Sequence, residues 1–165
     1  MGAGKTTMGA VLARQLGAPF TDLDSVIEQK QGCSISQIFS EKGEAGFREI
    51  EEDVFESVLE EHISEHPETI DDFSKCTLVL SLGGGIVTTE GCRDLIKRFT
   101  YCIWVRSDLS KISGRLQGAE ASKRPMLDVP GADSPDAESL LKHIMELYAA
   151  REPLYRSLAQ KVLDD

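Results

Sequence analysis

Met1-Gly2-Ala3-Gly4-Lys5-Thr6-Thr7 holds the residue types that bind the phosphates of a nucleoside triphosphate. In the loop motif G-x-x-x-x-G-K-[ST], small residues let successive backbone N–H groups converge on the α- and β-phosphates. The lysine ammonium reaches the β- and γ-phosphates, and the hydroxyl that follows binds Mg²⁺. Gly4, Lys5 and Thr6 match the end of that motif, with Gly2, Ala3 and Thr7 in the same cradle. The motif's first glycine, and the strand that leads into it, are expected before residue 1. Such a strand sits centrally in its sheet, so a chain truly starting at Met1 is expected to fold poorly, with unpaired edges on the neighbouring strands.

Further along, the residues able to do chemistry fall in short groups: Asp22-Leu23-Asp24, Gly43-Glu44 with Phe47-Arg48 and Glu51, Gly83-Gly84-Gly85, Arg124-Pro125, and Arg151 with Pro153-Leu154-Tyr155. A carboxylate can accept the proton of a hydroxyl nucleophile, and an arginine fork can grip a carboxylate or phosphate with two parallel hydrogen bonds. Each group has an ordinary explanation when taken alone. The aspartates are commonplace at a strand end, Arg48 is spaced to pair with Glu44 on a helix surface, and three glycines make a turn.

The elements that must carry these groups are legible. Met8, Val11, Leu12 and Leu16 recur at helical spacing after the loop, and Gly17 supplies a stop. Pro19–Asp24 reads as a short strand with both aspartates on one face. Ser25-Val26-Ile27-Glu28 and Ser34-Ile35-Ser36-Gln37 have capping-box form, predicting two short helices stopped by Gly32 and Gly43. Over 44–63, Phe47, Ile50, Val54, Val58 and Leu59 form one helical stripe, leaving Arg48 and Glu51 as neighbours on another face.

After a polar stretch at 64–76, Thr77–Leu82 reads as a buried parallel strand running into the glycines. A helix over about 90–98, a strand at Tyr101–Val105 and a helix after Asp108 continue the alternation that builds βαβ units. Residues 117–136, with Gly118, Pro125, Pro130, Gly131 and Pro135 around Lys123-Arg124, read as a mobile lid. A last helix over about 136–152 turns Leu140, Leu141, Ile144, Leu147 and Tyr148 inward, and Val162-Leu163 begins a strand.

Composition narrows the function classes. With 165 residues and 41% hydrophobic composition, the chain is large enough for one α/β domain with its own core. A net charge of −10 argues against nucleic acid or an anionic membrane as partner, since either needs a basic footprint. Cys33, Cys76, Cys92 and Cys102 show no metal or disulfide spacing and read as reduced thiols of a cytoplasmic protein. No apolar run approaches the length of a membrane span. His62-Ile63-Ser64-Glu65-His66 matches a zinc pattern, but Pro67 follows directly and the segment is polar, so it reads as a chance match; His143 reads as an ordinary helix residue.

In order and nearly over the whole chain, these groups closely resemble shikimate kinase. The resemblance implies a three-layer P-loop kinase fold: a five-stranded parallel sheet, helices on both faces and a mobile lid, in a single domain at 1–165. Within it, about 25–60 would bind the substrate and about 117–136 would form the lid. The first strand and the C-terminal end of the family pattern are expected to lie outside this sequence.

The implied activity is ATP-dependent phosphorylation of the 3-hydroxyl of shikimate in chorismate and aromatic amino acid biosynthesis. Asp24 would contact the ring hydroxyls and act as base, and Arg48, Arg151 and the Gly84 N–H would hold the carboxylate. Lys5 and Arg124 would stabilise the transferring phosphoryl group, Thr6 and Asp22 would hold Mg²⁺, and Arg115 would stack on adenine. Glu51 would fix the Arg48 guanidinium. The protein would work as a cytoplasmic monomer, with ATP and shikimate as its partners. A kinase for another small hydroxylated metabolite such as gluconate, and a non-catalytic nucleotide-binding fragment, are the alternatives; the first should lack the set Asp24, Arg48, Gly84 and Arg151.

Overall fold

Glycine stops and apolar stripes set the element order. The computed structural model describes residues 4–62, 75–106 and 137–164. It runs α1 (Lys5–Leu16), β1 (Phe20–Asp22), α2 (Leu23–Gln31), α3 (Ile35–His62), β2 (Val79–Ser81), a single 3₁₀ turn (Ile86–Thr88), α4 (Glu90–Phe99), β3 (Ile103–Arg106), α5 (Ala137–Leu158) and β4 (Lys161–Asp164). The expected helix after Asp108 and the lid at 117–136 lie outside the described residues.

The strands form two parallel pairs, β1 with β2 in the register Phe20–Val79, Thr21–Leu80 and Asp22–Ser81, and β3 with β4 from Ile103–Lys161 to Arg106–Asp164. Parallel partners require a crossover; α2 and α3 lie between the first pair in sequence, and α5 between the second. This is an α/β fold, but a single five-stranded sheet is not what the described residues form. None of their strands pairs with both β2 and β3, so the ladder is two separate pairs.

α1 packs on β1 and β2. Its close approach depends on Gly9, where a Cβ would sit 2.6 Å from the Phe20 ring. Ala13 is the buried residue of this helix, and Val11, part of the expected stripe, is 42% exposed.

The main core joins Leu23 and Ile27 of α2, the inner face of α3, Ile86, Val87, Cys92 and Ile96 around α4, and Leu158 of α5. On α3 the expected stripe holds: Phe47, Val54, Val58 and Leu59 are buried, with Ile50 packed at the margin, and Phe55 is fully buried. Each such side chain contributes roughly 1.5–3 kcal/mol through the apolar area it removes from water.

Two boundaries differ from those expected, and one holds. The strand before α2 stops at Asp22, and the helix begins at Leu23 rather than Ser25, because the Asp22 carboxylate accepts from the Asp24 N–H (3.1 Å) and caps it. Asp24 therefore lies in the first turn of a helix and does not share a strand face with Asp22. Gly43 (φ 69°, ψ −175°) breaks the helical geometry as expected, so α3 is two helices that meet at a kink there, the second running to His62. Finally, α5 does not end near residue 152. It continues through Pro153 to Leu158, losing the bond that an N–H at 153 would give the Ala149 carbonyl, while Leu158 is buried in the core.

Candidate functional site

The first half of the site lies where α1 meets β1. Gly4 is left-handed (φ 73°, ψ 16°), which glycine adopts without strain, and Lys5 starts α1 immediately after it. Among the described residues no side chain caps this helix, and its first turn holds no acid, so its first N–H groups and the macrodipole suit an anion. Thr6 Oγ1 donates to Asp22 Oδ2 at 2.9 Å, tying the loop to the end of β1. The other Asp22 oxygen caps α2, so one carboxylate positions both Thr6 and the turn carrying Asp24.

Gly83-Gly84-Gly85, between β2 and the 3₁₀ turn, forms the floor of the second half. Side chains from three helices converge on it. A Cβ at Gly83 would lie 3.2 Å from Asp24 Oδ1 and 3.2 Å from Glu51 Oε1, and one at Gly85 would lie 2.1 Å from Arg48 Nη2. Glycines stand here because the side chains pack directly on the backbone.

Arg48 and Glu51, three apart on α3, form an ion pair at 2.5 Å between Nη1 and Oε2. Arg48 also reaches the exposed Glu44 at 3.3 Å, so the surface-pair reading of Arg48 is half right: it holds both carboxylates. Its Nε is buried without a hydrogen-bond partner among the described residues. Glu51 is 1% exposed. Burial pushes its carboxyl above the ordinary range, opposed by the Arg48 charge and hydrogen bond, reinforced by Asp24 and opposed again by Arg151. Those influences place Asp24, Arg48, Glu51 and Arg151 in one electrostatic neighbourhood.

Arg151, on α5, is 6% exposed, an unusual burial for an arginine. One turn later on the same helix, Tyr155 donates from its hydroxyl to the Gly84 carbonyl at 2.5 Å. Burial raises the Tyr155 pKa; the charge and hydrogen bond of Arg151 act the other way. Tyr155 stands in the group Arg151 with Pro153-Leu154-Tyr155, but the resemblance gave it no role of its own. Its spacing of four from Arg151, which puts both on one helix face, is the signal that would have found it.

The structure thus joins Lys5, Thr6 and Asp22 in one group and Asp24, Arg48, Gly84 and Arg151 in another, linked through the Asp22–Asp24 cap. Gly2, Ala3, Arg115 and Arg124 lie outside the described residues. Among the described residues no group of three or more His, Cys, Asp or Glu side chains is arranged to hold a metal ion. His62 is engaged within its own helix, Nδ1 donating to the Val58 carbonyl at 2.9 Å, and His66 is outside the described residues. No helix among the described residues is long and apolar enough to cross a membrane. Chemically, the arrangement offers an anion-binding helix start, a hydroxyl–carboxylate pair of hard oxygen donors, and a carboxylate near the buried Arg151 and the partly buried Arg48.

Comparison with known proteins gives one answer. The family model described as shikimate kinase matches residues 1–165. A shikimate kinase of Chlorobaculum parvum is 35% identical over 164 residues, covering 99% of this chain and 79% of that protein. Among solved structures, the shikimate kinase from Acinetobacter baumannii in complex with shikimate matches with a TM-score of 0.80 and 32% identity, over 100% of this chain and 79% of that one. The shikimate kinase from Bacteroides thetaiotaomicron matches with a TM-score of 0.80 and 30% identity, over 99% and 81% of the two chains.

Proposed function

Because the chain belongs to the shikimate kinase family, we propose that it transfers the γ-phosphoryl group of ATP to the 3-hydroxyl of shikimate, releasing ADP and shikimate 3-phosphate in chorismate and aromatic amino acid biosynthesis. One observation carries the reading. In a chain of net charge −10, Arg151 is buried and Arg48 partly buried around a glycine turn, and the buried Nε of Arg48 has no acceptor among the described residues. A buried guanidinium donor without a partner is costly, and a ligand carboxylate satisfies it.

Arg48 and Arg151 grip the shikimate carboxylate, with the Gly84 N–H as a further donor, and Glu51 holds the Arg48 fork in place from 2.5 Å. Asp24, in the first turn of α2 and against Gly83, contacts the ring hydroxyls and accepts the proton of the attacking one. Phosphoryl transfer otherwise depends on alignment and on neutralising charge, so the remaining groups act by position. Lys5 reaches the β- and γ-phosphates from the start of α1, and backbone N–H groups of Gly2 to Thr7 surround them. Arg124 and Arg115 are assigned from resemblance alone, the first to the transferring phosphoryl group and the second to the adenine face. The region at about 25–60 is the substrate-binding part of one domain at 1–165, and about 117–136 its lid.

The Thr6 hydroxyl and Asp22 carboxylate, 2.9 Å apart, fit Mg²⁺, which takes hard oxygen ligands and retains several waters beside one or two protein donors. Bound there, it would neutralise β- and γ-phosphate charge. Asp22 would keep Thr6 in place for this through the hydrogen bond it already accepts. We assign the protein to the cytoplasm, acting as a monomer.

The test is shikimate-dependent ADP release from Mg²⁺-ATP, by this chain and by a form with the loop motif completed ahead of Met1, with gluconate as control acceptor. Turnover that requires shikimate is expected. ADP release indifferent to shikimate, or stimulated by gluconate instead, would overturn the reading.

A further inference from the structure

Tyr155 ties α5 to the glycine turn. Its hydroxyl donates to the Gly84 carbonyl at 2.5 Å, across 71 positions of sequence. Three consecutive glycines have no side chains to hold them and the widest choice of backbone angles, so a turn made of them keeps one shape only if its surroundings impose it. The surroundings do so from two sides. On one, the Arg48 guanidinium lies against Gly85, where a Cβ would meet Nη2 at 2.1 Å. On the other, Tyr155 holds the Gly84 carbonyl.

Tyr155 is itself held firmly. Its ring packs on Trp104 of β3, with centroids 5.7 Å apart and planes at 34°, and it packs against the main core. Arg151, one turn earlier on α5, hydrogen-bonds to it. Residues 151 and 155 share one helix face, so the arginine assigned to the shikimate carboxylate and the tyrosine that fixes the turn move as one body.

We propose that Tyr155 is a positioning residue for the acceptor substrate: by clamping the Gly84 carbonyl to α5, it sets the Gly84 N–H at a fixed place relative to the Arg151 guanidinium, so that both address one carboxylate. This rests on the function proposed above. The clamp acts on the acid end of shikimate and not on the nucleotide, whose loop lies on α1. Its loss therefore weakens acceptor binding selectively. Burial keeps the phenol protonated, as a donor must be.

The experiment is Tyr155→Phe, which removes the hydroxyl and keeps the ring on Trp104, with Tyr148→Phe on the same helix as control. Shikimate KM, ATP KM and kcat are measured, together with shikimate affinity by calorimetry without nucleotide. Shikimate KM and dissociation constant are expected to rise about tenfold in Tyr155→Phe, the equivalent of one hydrogen bond of about 1.4 kcal/mol. ATP KM is expected to stay within twofold, and Tyr148→Phe to match wild type. Trp104 is the single tryptophan of the chain, so its emission reports the same event: shikimate should change it in wild type and change it less in Tyr155→Phe. Wild-type turnover of shikimate with an unaltered acceptor KM in Tyr155→Phe, or an equal rise in both KM values, overturns the clamp alone. Absence of shikimate binding and turnover in wild type overturns the functional reading beneath it.

Discussion

Arg48 holds two carboxylates of the same helix, and the structure makes them very unequal. Glu51 lies 2.5 Å from Nη1 with its side chain 1% exposed, whereas Glu44 lies 3.3 Å from Nη2 and is 52% exposed. Glu44→Ala breaks a solvated i,i+4 pair and should cost about 0–0.5 kcal/mol. Glu51→Ala leaves the Arg48 guanidinium, whose side chain is 13% exposed and whose Nε is already unpartnered, without its main counter-charge. Removing one member of a buried pair typically costs about 3–5 kcal/mol. For a chain of this size, that is a fall in Tm of roughly 6–20 °C. Thermal or urea unfolding of the two variants beside wild type measures it.

The same residue makes a pH prediction of definite sign. Burial outweighs Arg48 and lifts the folded-state pKa of Glu51 above its ordinary 4.5. The unfolded chain thus releases this proton at lower pH than the folded one. Stability from this group is complete below about 4.5 and is lost as pH rises through the raised value. Glu51→Gln removes the titration, so wild type should lose stability relative to Glu51→Gln across that window. Equal costs for Glu44→Ala and Glu51→Ala, or parallel pH profiles for wild type and Glu51→Gln, would refute the reasoning.

Three further outcomes are expected. Gly85→Ala drives a Cβ to 2.1 Å from Arg48 Nη2; the displaced arginine should raise shikimate KM at least about tenfold with ATP KM unchanged, since one lost charged contact is worth about 1.5–3 kcal/mol, which initial-rate kinetics will show. Asp24→Asn removes the proton acceptor, and kcat should fall by about 10²–10⁴ while calorimetry still finds shikimate bound. Cys92 is fully buried with its thiol pushed up to about 12, so a maleimide at pH 8 should label it only after denaturation, as peptide mass spectrometry will report.

The helix stops were legible because glycine has a distinctive reason to be at each. Gly17, Gly32 and Gly43 all adopt positive φ, of 67°, 68° and 69°, where other residues are strained. The strand cores and the α3 stripe followed from periodicity. The start of α2 was misplaced because Asp22 and Ser25 are both good caps; only the hydrogen bond from the Asp24 N–H decides between them. The end of α5 was misplaced because Pro153 normally stops a helix, and the compensating attachments, Tyr155 to Gly84 and Leu158 to the core, join residues far apart in sequence.

The grouping of Asp24, Arg48, Gly84 and Arg151 was expected only through family resemblance, since no local rule brings α2, α3, α5 and a glycine turn together. The pairing of Glu51 with Arg48 followed from their spacing, but the depth of its burial did not, because glutamate on a helix is ordinarily solvated.

That buried carboxylate also bears on how the site receives an anion. Arg48 already serves Glu51, so a shikimate carboxylate adds negative charge to a cluster holding Glu51 and Asp24 as well as Arg48 and Arg151. An added anion raises the Glu51 pKa further, and it competes for the Arg48 charge that had been lowering it. Binding should therefore draw in a proton at pH values between the free and bound pKa of Glu51, and affinity should fall as pH rises through that interval. Calorimetric titration of shikimate in buffers of different ionisation enthalpy counts the protons. Uptake in wild type that disappears in Glu51→Gln is the expected result. Uptake of the same size in both would assign the proton to another group, and would mean that Glu51 keeps one protonation state throughout.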